Sequence, residues 1–183
     1  MNLLRQRVIF PAVIALGSNL GERETNIRTA IAAINELDGV KVTSVSGLVE
    51  SHAVKPEGVD VASPNYLNAV ALVETALQPE ELLAALHVIE TAQGRVRVER
   101  WGDRTLDLDI VSYGALERHD EELTLPHPRA WQRPFVLVPW LQADAGATLH
   151  GYGRVDGLAA STSTEVWAFH AVSLAPQPDR GTE

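Results

Sequence analysis

The chain contains no cysteine. Disulfides, thiolate metal sites and cysteine nucleophiles are thereby excluded. No apolar stretch approaches the ~20 residues that a membrane helix needs, so no membrane span is expected. Arg5 and Arg7 precede a short apolar run, but no small-residue cleavage pattern follows. No signal peptide is expected, and a cytoplasmic protein is the expectation. Lysine is nearly missing: thirteen of the fifteen basic residues are Arg, and only Lys41 and Lys55 are Lys. Positive charge is short overall, with a formal net charge of −9 and a pI near 5.1. A field of that sign repels polyanions, so neither nucleic acid nor an anionic membrane is an expected partner.

What is present reads as a globular chain of 183 residues, 45% hydrophobic and 21% charged. That composition buries a sizeable core in one domain, expected over residues 1–174, with a disordered tail from 175 to 183. Val8 to Leu16 is a largely apolar, β-branched run before Gly17-Ser18-Asn19, and predicts a strand and a turn. Ile27, Ala30, Ile31, Ile34 and Leu37 at helical spacing predict a helix over 22–37. Val40 to Val49 alternates as a strand. Residues 51–65, with Pro56, Gly58 and Pro64, predict a long loop, and 67–75 a third strand. Pro79 opens a helix carrying Leu82, Leu83, Leu86 and Ile89, which ends at Gly94. Residues 104–113 predict a strand, and Leu123–Leu125 a short one. A helical segment starting at Arg133 has to accommodate Pro139. From Gly146 the spacing predicts short elements at best. The order β-α-β, β-α-β suggests an α+β, ferredoxin-like sandwich with helices packed on an antiparallel sheet.

Chemistry concentrates in a few segments. In the strand Arg104-Thr-Leu-Asp-Leu-Asp-Ile-Val111, alternation puts Leu106, Leu108 and Ile110 on one face. Asp107 and Asp109 share the other, with Cα atoms roughly 7 Å apart. Asp is disfavoured in strands and like charges side by side repel, so such a pair points to hard cations. Arg95, Arg97, Arg100 and Arg104 lie within ten residues, and the planar Arg fork matches phosphate oxygens. A solvated helix end or a general bias toward Arg accounts for the cluster equally well. Tyr66 and Asn68 share a strand face, where an aromatic ring and an amide suit a planar heterocycle, or simply an edge of the core. His87 and Glu90, three apart, are expected on a helix face away from the leucine stripe. Gly17-Ser18-Asn19 offers backbone amides to a ligand or forms a plain turn. His127 is held between Pro126 and Pro128, where a structural role is the simpler account. Arg133 and Phe135 repeat the pairing of cation and aromatic. Trp101, in a polar loop, is hard to place in a core.

In this order the segments resemble the 6-hydroxymethyl-7,8-dihydropterin pyrophosphokinase family. The likeness runs through Ala15-Leu-Gly-Ser-Asn-Leu20, Tyr66-Leu-Asn-Ala69, Gly94-Arg-Val-Arg97 and Arg100-Trp-Gly-Asp-Arg-Thr-Leu-Asp-Leu-Asp-Ile-Val111. It continues in Leu125-Pro-His-Pro128 and Arg133-Pro-Phe-Val-Leu137. The resemblance implies transfer of pyrophosphate from ATP to the pterin hydroxymethyl group, with release of AMP, in folate biosynthesis. It implies two Mg²⁺ ions on Asp107 and Asp109, with Arg95 and Arg104 also at the reacting phosphates. His87, Glu90, Arg97, Ile110, His127 and Arg133 would serve ATP. Tyr66, Asn68, Arg100, Trp101 and Phe135 would serve the pterin. The implied partners are these small-molecule substrates alone.

Three positions depart from the family pattern. Val49-Glu-Ser-His-Ala53 stands where Tyr-x-Thr-x-Pro is usual. Asp103 replaces a small apolar residue or Pro, and an extra carboxylate beside ATP weakens binding unless it is turned away or paired. Pro128 stands where some members carry Tyr. Two other readings fit the same residues: a different metal-dependent nucleotidyl enzyme on this fold, and a nucleotide-binding module with little turnover.

Overall fold

The computed structural model describes residues 8–55, 58–94, 103–162 and 166–170. Strand β1 (Phe10–Ser18) leads into helix α1 (Arg23–Asn35), then β2 (Val40–Val45) and β3 (Leu48–Ser51). The short β4 (Ala53–Lys55) and β5 (Gly58–Asp60) precede β6 (Tyr66–Thr75) and α2 (Pro79–Ala92). Then come β7 (Asp107–Tyr113), β8 (Arg118–His119), β9 (Thr124–Leu125), a 3-10 turn at Ala130–Gln132 and α3 (Pro134–Ala143). The chain closes with β10 (Thr148–Leu149), β11 (Gly153–Arg154), α4 (Val155–Ala160) and β12 (Val166–His170).

The main sheet has the order β12-β3-β6-β1-β7, with β2 also paired to β6, and every pairing is antiparallel. Reading β2 and β3 as one split strand gives the ferredoxin-like β-α-β-β-α-β order. The split occurs at Ser46. Its N–H donates to Val70 O (3.0 Å), and its Oγ accepts from Val70 N (2.9 Å), so a side chain replaces one rung of the ladder. The single strand expected over 40–49 is therefore two. The loop expected over 51–65 contains the β4–β5 hairpin. Strand β1 runs two residues past Leu16, because Gly17 and Ser18 pair with Asn68 and Leu67 of β6.

Alternation sends side chains to two separate cores. Ala12, Ile14, Leu16, Leu108 and Ile110 join Ile27, Ile31, Ile34, Leu82 and Leu86 under α1 and α2. Each such buried Leu or Ile contributes roughly 1.5–3 kcal/mol. Val13, Val70 and Val111 turn the other way, onto Val136, Leu137 and Trp140 of α3. The molecule thus has three layers. Helix α3 runs through Pro139, which lacks an N–H and costs about 3 kcal/mol in a helix interior. Burial of α3 against the sheet, including Trp140 at 3% exposure, offsets that cost. Among the short elements expected after Gly146, β12 has a placement the sequence did not indicate: it adds an edge strand beside β3.

Candidate active site

A cleft of about 500 Å³ opens on the α3 face of the sheet, between the ends of the central strands and the start of α3. That volume suits small substrates. Its floor is a cross-strand row in which Gly17 pairs with Asn68 on one side and Asp107 on the other. A Cβ built on Gly17 would lie 3.4 Å from Asn68 Oδ1, 3.6 Å from Tyr66 Cδ1 and 3.9 Å from Asp107 Cβ. Gly17 and Ala15 thus keep the floor low between an aromatic-amide side and a carboxylate side.

On the carboxylate side, Asp107 and Asp109 both line the cleft, while Leu106, Leu108 and Ile110 are buried on the opposite face. Arg104 Nη1 donates to Asp107 Oδ1 at 2.7 Å. Burial opposes the charge on Arg104, but Asp107 outweighs it and holds the guanidinium above its ordinary value. Asp109 Oδ2 lies 3.8 Å from both Arg133 Nη1 and His127 Nε2. Burial pushes the Arg133 guanidinium down, against the pull of Asp109. Arg129, between His127 and Arg133 in sequence, also lines the cleft.

Burial, reinforced by the charges of Arg133 and Arg129, pushes the His127 imidazole down from 6.5 to about 4. The native protein refuses a proton that the unfolded chain accepts. Stability is retained above the unfolded pKa and falls as pH drops from 6.5 toward 4. The loss for the ligand-free protein is about 3 kcal/mol. Urea melts of wild type and His127→Gln across that range check this, and the variant should show a flatter stability-pH curve.

The cleft is aligned by a clamp. Asn19 N and Leu20 N donate to Arg104 O at 3.1 and 3.3 Å, and Asn19 Oδ1 accepts from Arg104 N at 2.7 Å. Ser18 Oγ donates to Thr105 O at 2.6 Å. The Gly-Ser-Asn amides, a candidate ligand cradle in the sequence, instead hold the segment that presents Arg104. Asn19 Nδ2 donates to Asp103 Oδ1 at 2.7 Å, so the unusual carboxylate is paired.

On the other side, Tyr66 of β6 and Phe135 of the first turn of α3 both line the cleft. Asn68 is 5% exposed. Its Nδ2 donates to Ser51 Oγ at 3.0 Å, which leaves Oδ1 beside Gly17 as an acceptor. Arg133 lies 5.6 Å over the Phe135 ring, linking the two sides.

Four expected residues, Arg95, Arg97, Arg100 and Trp101, lie outside the described residues. Three others are not among those lining the cleft. Ile110 has its side chain in the α1–α2 core, so only its main chain could meet a nucleotide. His87 is half-buried on α2. Glu90 is 1% exposed, and its Oε1 accepts from Leu108 N at 2.8 Å, tethering α2 to β7. The expectation that Glu90 faces away from the leucine stripe is overturned. It follows Leu82 and Leu86 at intervals of four and continues their row, a signal present in the sequence. Arg129, Gln132, Ser51 and Lys55 are cleft residues that the sequence reading missed. Arg129 and Gln132 carried a cue, since both sit between His127 and Arg133, which were already singled out.

The profile of the family described as 7,8-dihydro-6-hydroxymethylpterin-pyrophosphokinase matches residues 13–145. The chain belongs to this family. It is 44% identical over 128 residues to the 2-amino-4-hydroxy-6-hydroxymethyldihydropteridine pyrophosphokinase of Haemophilus influenzae, covering 70% of this chain and 78% of that one. The enzyme of the same name from Bacillus subtilis is 43% identical over 128 residues, covering 70% and 74%. Among solved structures, a Plasmodium falciparum HPPK-DHPS triple mutant with pteroate superposes with a TM-score of 0.64 at 14% identity. That match covers 87% of this chain and 44% of the Plasmodium one, and it supports the pyrophosphokinase fold alone. No helix among the described residues is long and apolar enough to cross a membrane.

Proposed function

We propose that this cleft is where the pyrophosphokinase reaction takes place, with ATP on the Asp107–Asp109 side and 6-hydroxymethyl-7,8-dihydropterin on the Tyr66–Phe135 side. The observation that carries this reading is the row Asn68–Gly17–Asp107. It joins a heterocycle-binding half to a phosphate-binding half over one glycine.

In this reading the pterin ring lies between Tyr66 and Phe135, and Asn68 Oδ1 accepts from its N–H groups. The hydroxymethyl oxygen then points over Gly17 toward the phosphates. That oxygen attacks the β-phosphorus of ATP. The new O–P bond forms as the bond from the β-phosphorus to the α,β-bridging oxygen breaks. The pterin diphosphate and AMP result, and the hydroxyl proton passes to solvent or to a phosphate oxygen. Arg104, Arg129 and Arg133, with Arg95 and Arg97 from the family motif, hold the phosphates in line and offset their charge. Such transfers depend mainly on positioning and charge stabilisation. In the ligand-free cleft burial holds the His127 imidazole at about 4, so it is neutral near pH 7 when ATP arrives and can offer its ring nitrogens as a hydrogen-bonding wall.

The donor set also fits Mg²⁺. Among the described residues no group of three or more His, Cys, Asp or Glu side chains is arranged for a metal. Asp107 and Asp109 alone suit an ion that takes one or two carboxylates and completes its shell from water and substrate phosphates. We propose two such ions, held by both carboxylates. When bound they supply Lewis-acid neutralisation of the phosphate charge. We retain His87 as an adenosine-side residue, Arg100 and Trp101 as pterin-side residues, and the cytoplasm, where ATP and Mg²⁺ are plentiful, as the location.

Tyr66→Ala and Phe135→Ala should each raise the KM for the pterin by about ten- to a hundredfold, the range of a lost stacking contact with a base. The KM for ATP should stay within about twofold. Steady-state kinetics with each substrate varied in turn checks this, and a selective loss of ATP binding would contradict the stacking assignment.

A further inference from the structure

Strand β12 lies beyond the residues that match the family profile, yet it is hydrogen-bonded into the main sheet. Its register places Trp167 opposite Glu50 and Val166 opposite Ser51. Ser51 in turn pairs with Tyr66. The segment between Ser51 and Tyr66 begins at His52 and ends at Asn65, and both of these ends are tied down. His52 Nδ1 lies 2.9 Å from Asn65 Oδ1. The His52 ring meets Trp167 edge-on, with centroids 5.0 Å apart at 79°. Arg23 Nη1 donates to Glu50 Oε1 at 2.8 Å and to Asn65 O at 2.7 Å, and its guanidinium stands 5.7 Å from the Phe169 ring centroid. A register shift between Ala168 and His170 breaks the alternation at Phe169, yet Trp167 meets the His52 ring and Phe169 meets the Arg23 guanidinium. So β12 presents two aromatic side chains to the cluster that fastens both ends of the 52–65 segment.

We propose that β12 is a built-in brace for the pterin end of the cleft, with Trp167 as a positioning residue that acts through His52, itself a lining residue of the cleft. The inference rests on the pterin-side reading given above. Ser51 and Tyr66 are the residues adjoining the two fastened ends. Ser51 supports Asn68 through its Oγ, and Tyr66 offers its ring. A shift at His52 or Asn65 therefore reaches the two groups that set the pterin's height and edge contacts. The phosphate half is held by the Asn19 clamp on Arg104, which has no bond to β12 and meets the 52–65 segment through a longer bond, 3.4 Å from Asn19 Nδ2 to Pro64 O.

The test is a kinetic comparison in the full chain. Trp167→Ala should raise the pterin KM about tenfold, while the ATP KM and kcat stay within about twofold. Trp167→Phe should restore most of the loss, because an aromatic edge is kept. His52→Ala should reproduce the defect, and the double variant should be no worse than either single one, since both remove the same contact. Trp167 is 39% exposed, so its truncation should leave the protein folded, as checked by its circular dichroism melt. An unchanged pterin KM in Trp167→Ala, or equal rises for ATP and pterin, would overturn the brace. Tyr66→Ala measured alongside separates the two readings. If Tyr66→Ala leaves the pterin KM unchanged, the pterin-side assignment fails. If it raises that KM while Trp167→Ala does not, only the brace fails.

Discussion

Replacing Asp107 or Asp109 with alanine should lower turnover by at least about 10²–10³-fold while leaving the protein folded. The magnitude is that of removing one preorganised electrostatic group from a transition state, or several kcal/mol. In the ligand-free structure each carboxylate already faces cations: Asp107 pairs with Arg104 at 2.7 Å, and Asp109 lies 3.8 Å from Arg133. Loss of either leaves the arginines to hold the phosphates with only one carboxylate to anchor metal among them. The stability cost is small, because both pairs are partly exposed, with side-chain exposures of 25% for Asp107 and 41% for Asp109. Partly exposed pairs contribute about 1 kcal/mol, and somewhat more where the arginine left behind is shielded, as Arg104 and Arg133 are at 21% and 17% exposure, which is a few degrees of Tm in a chain of this size. Pterin-dependent AMP release and a thermal melt, measured on the same preparation, separate catalytic loss from unfolding. Near-normal turnover with Mg²⁺ in either variant would sink the metal assignment.

Replacing Gly17 with leucine should lower kcat/KM by at least about a hundredfold for both substrates. The reason is steric. The Gly17 Cβ position already sits in van der Waals contact with Asn68 Oδ1 and near Asp107 Cβ. An isobutyl group there occupies the junction of the two halves. Displacing the reacting atoms by about 1 Å can by itself cost about 10²-fold. Gly17→Ala adds one carbon at ordinary contact distance and should be mild. Neither change should unfold the protein. Gly17 pairs on both sides as a regular strand residue, and replacing a strand glycine tends to help the fold by about 0.5–1 kcal/mol. The graded series Ala, Val, Leu, read as kcat/KM against Tm, distinguishes a blocked cleft from a damaged sheet.

The carboxylate half of this site was legible in the sequence because strand alternation is local. Leu106, Leu108 and Ile110 had to face the core, so Asp107 and Asp109 had to face away. Tyr66 and Asn68 were readable for the same reason. What the sequence hid depends on partners far along the chain. Glu90 caps the amide of Leu108, eighteen residues on. Asn19 neutralises the departure at Asp103, eighty-four residues on. Periodicity assigns a residue to a face of its own helix, but it does not say which backbone amide waits there unsatisfied. The kink at Ser46 was invisible because its hydroxyl imitates a ladder bond, so the alternation reads through it. The placement of strand β12 was missed because a five-residue strand after a Gly- and Ser-rich stretch has no periodic signal of its own. It becomes a strand by pairing with β3. The helix α3 shows the converse, a segment whose Pro139 argues against it and whose burial decides the matter.

One cleft is expected to join ATP and a hydroxymethyl pterin and to transfer the terminal two phosphates as a unit. Phosphorus NMR of the purified protein with Mg²⁺, ATP and 6-hydroxymethyl-7,8-dihydropterin tests this directly. AMP and a pterin diphosphate should appear in equal amounts, and only when the pterin is present. Formation of ADP, or of free pyrophosphate without a pterin ester, would contradict the account.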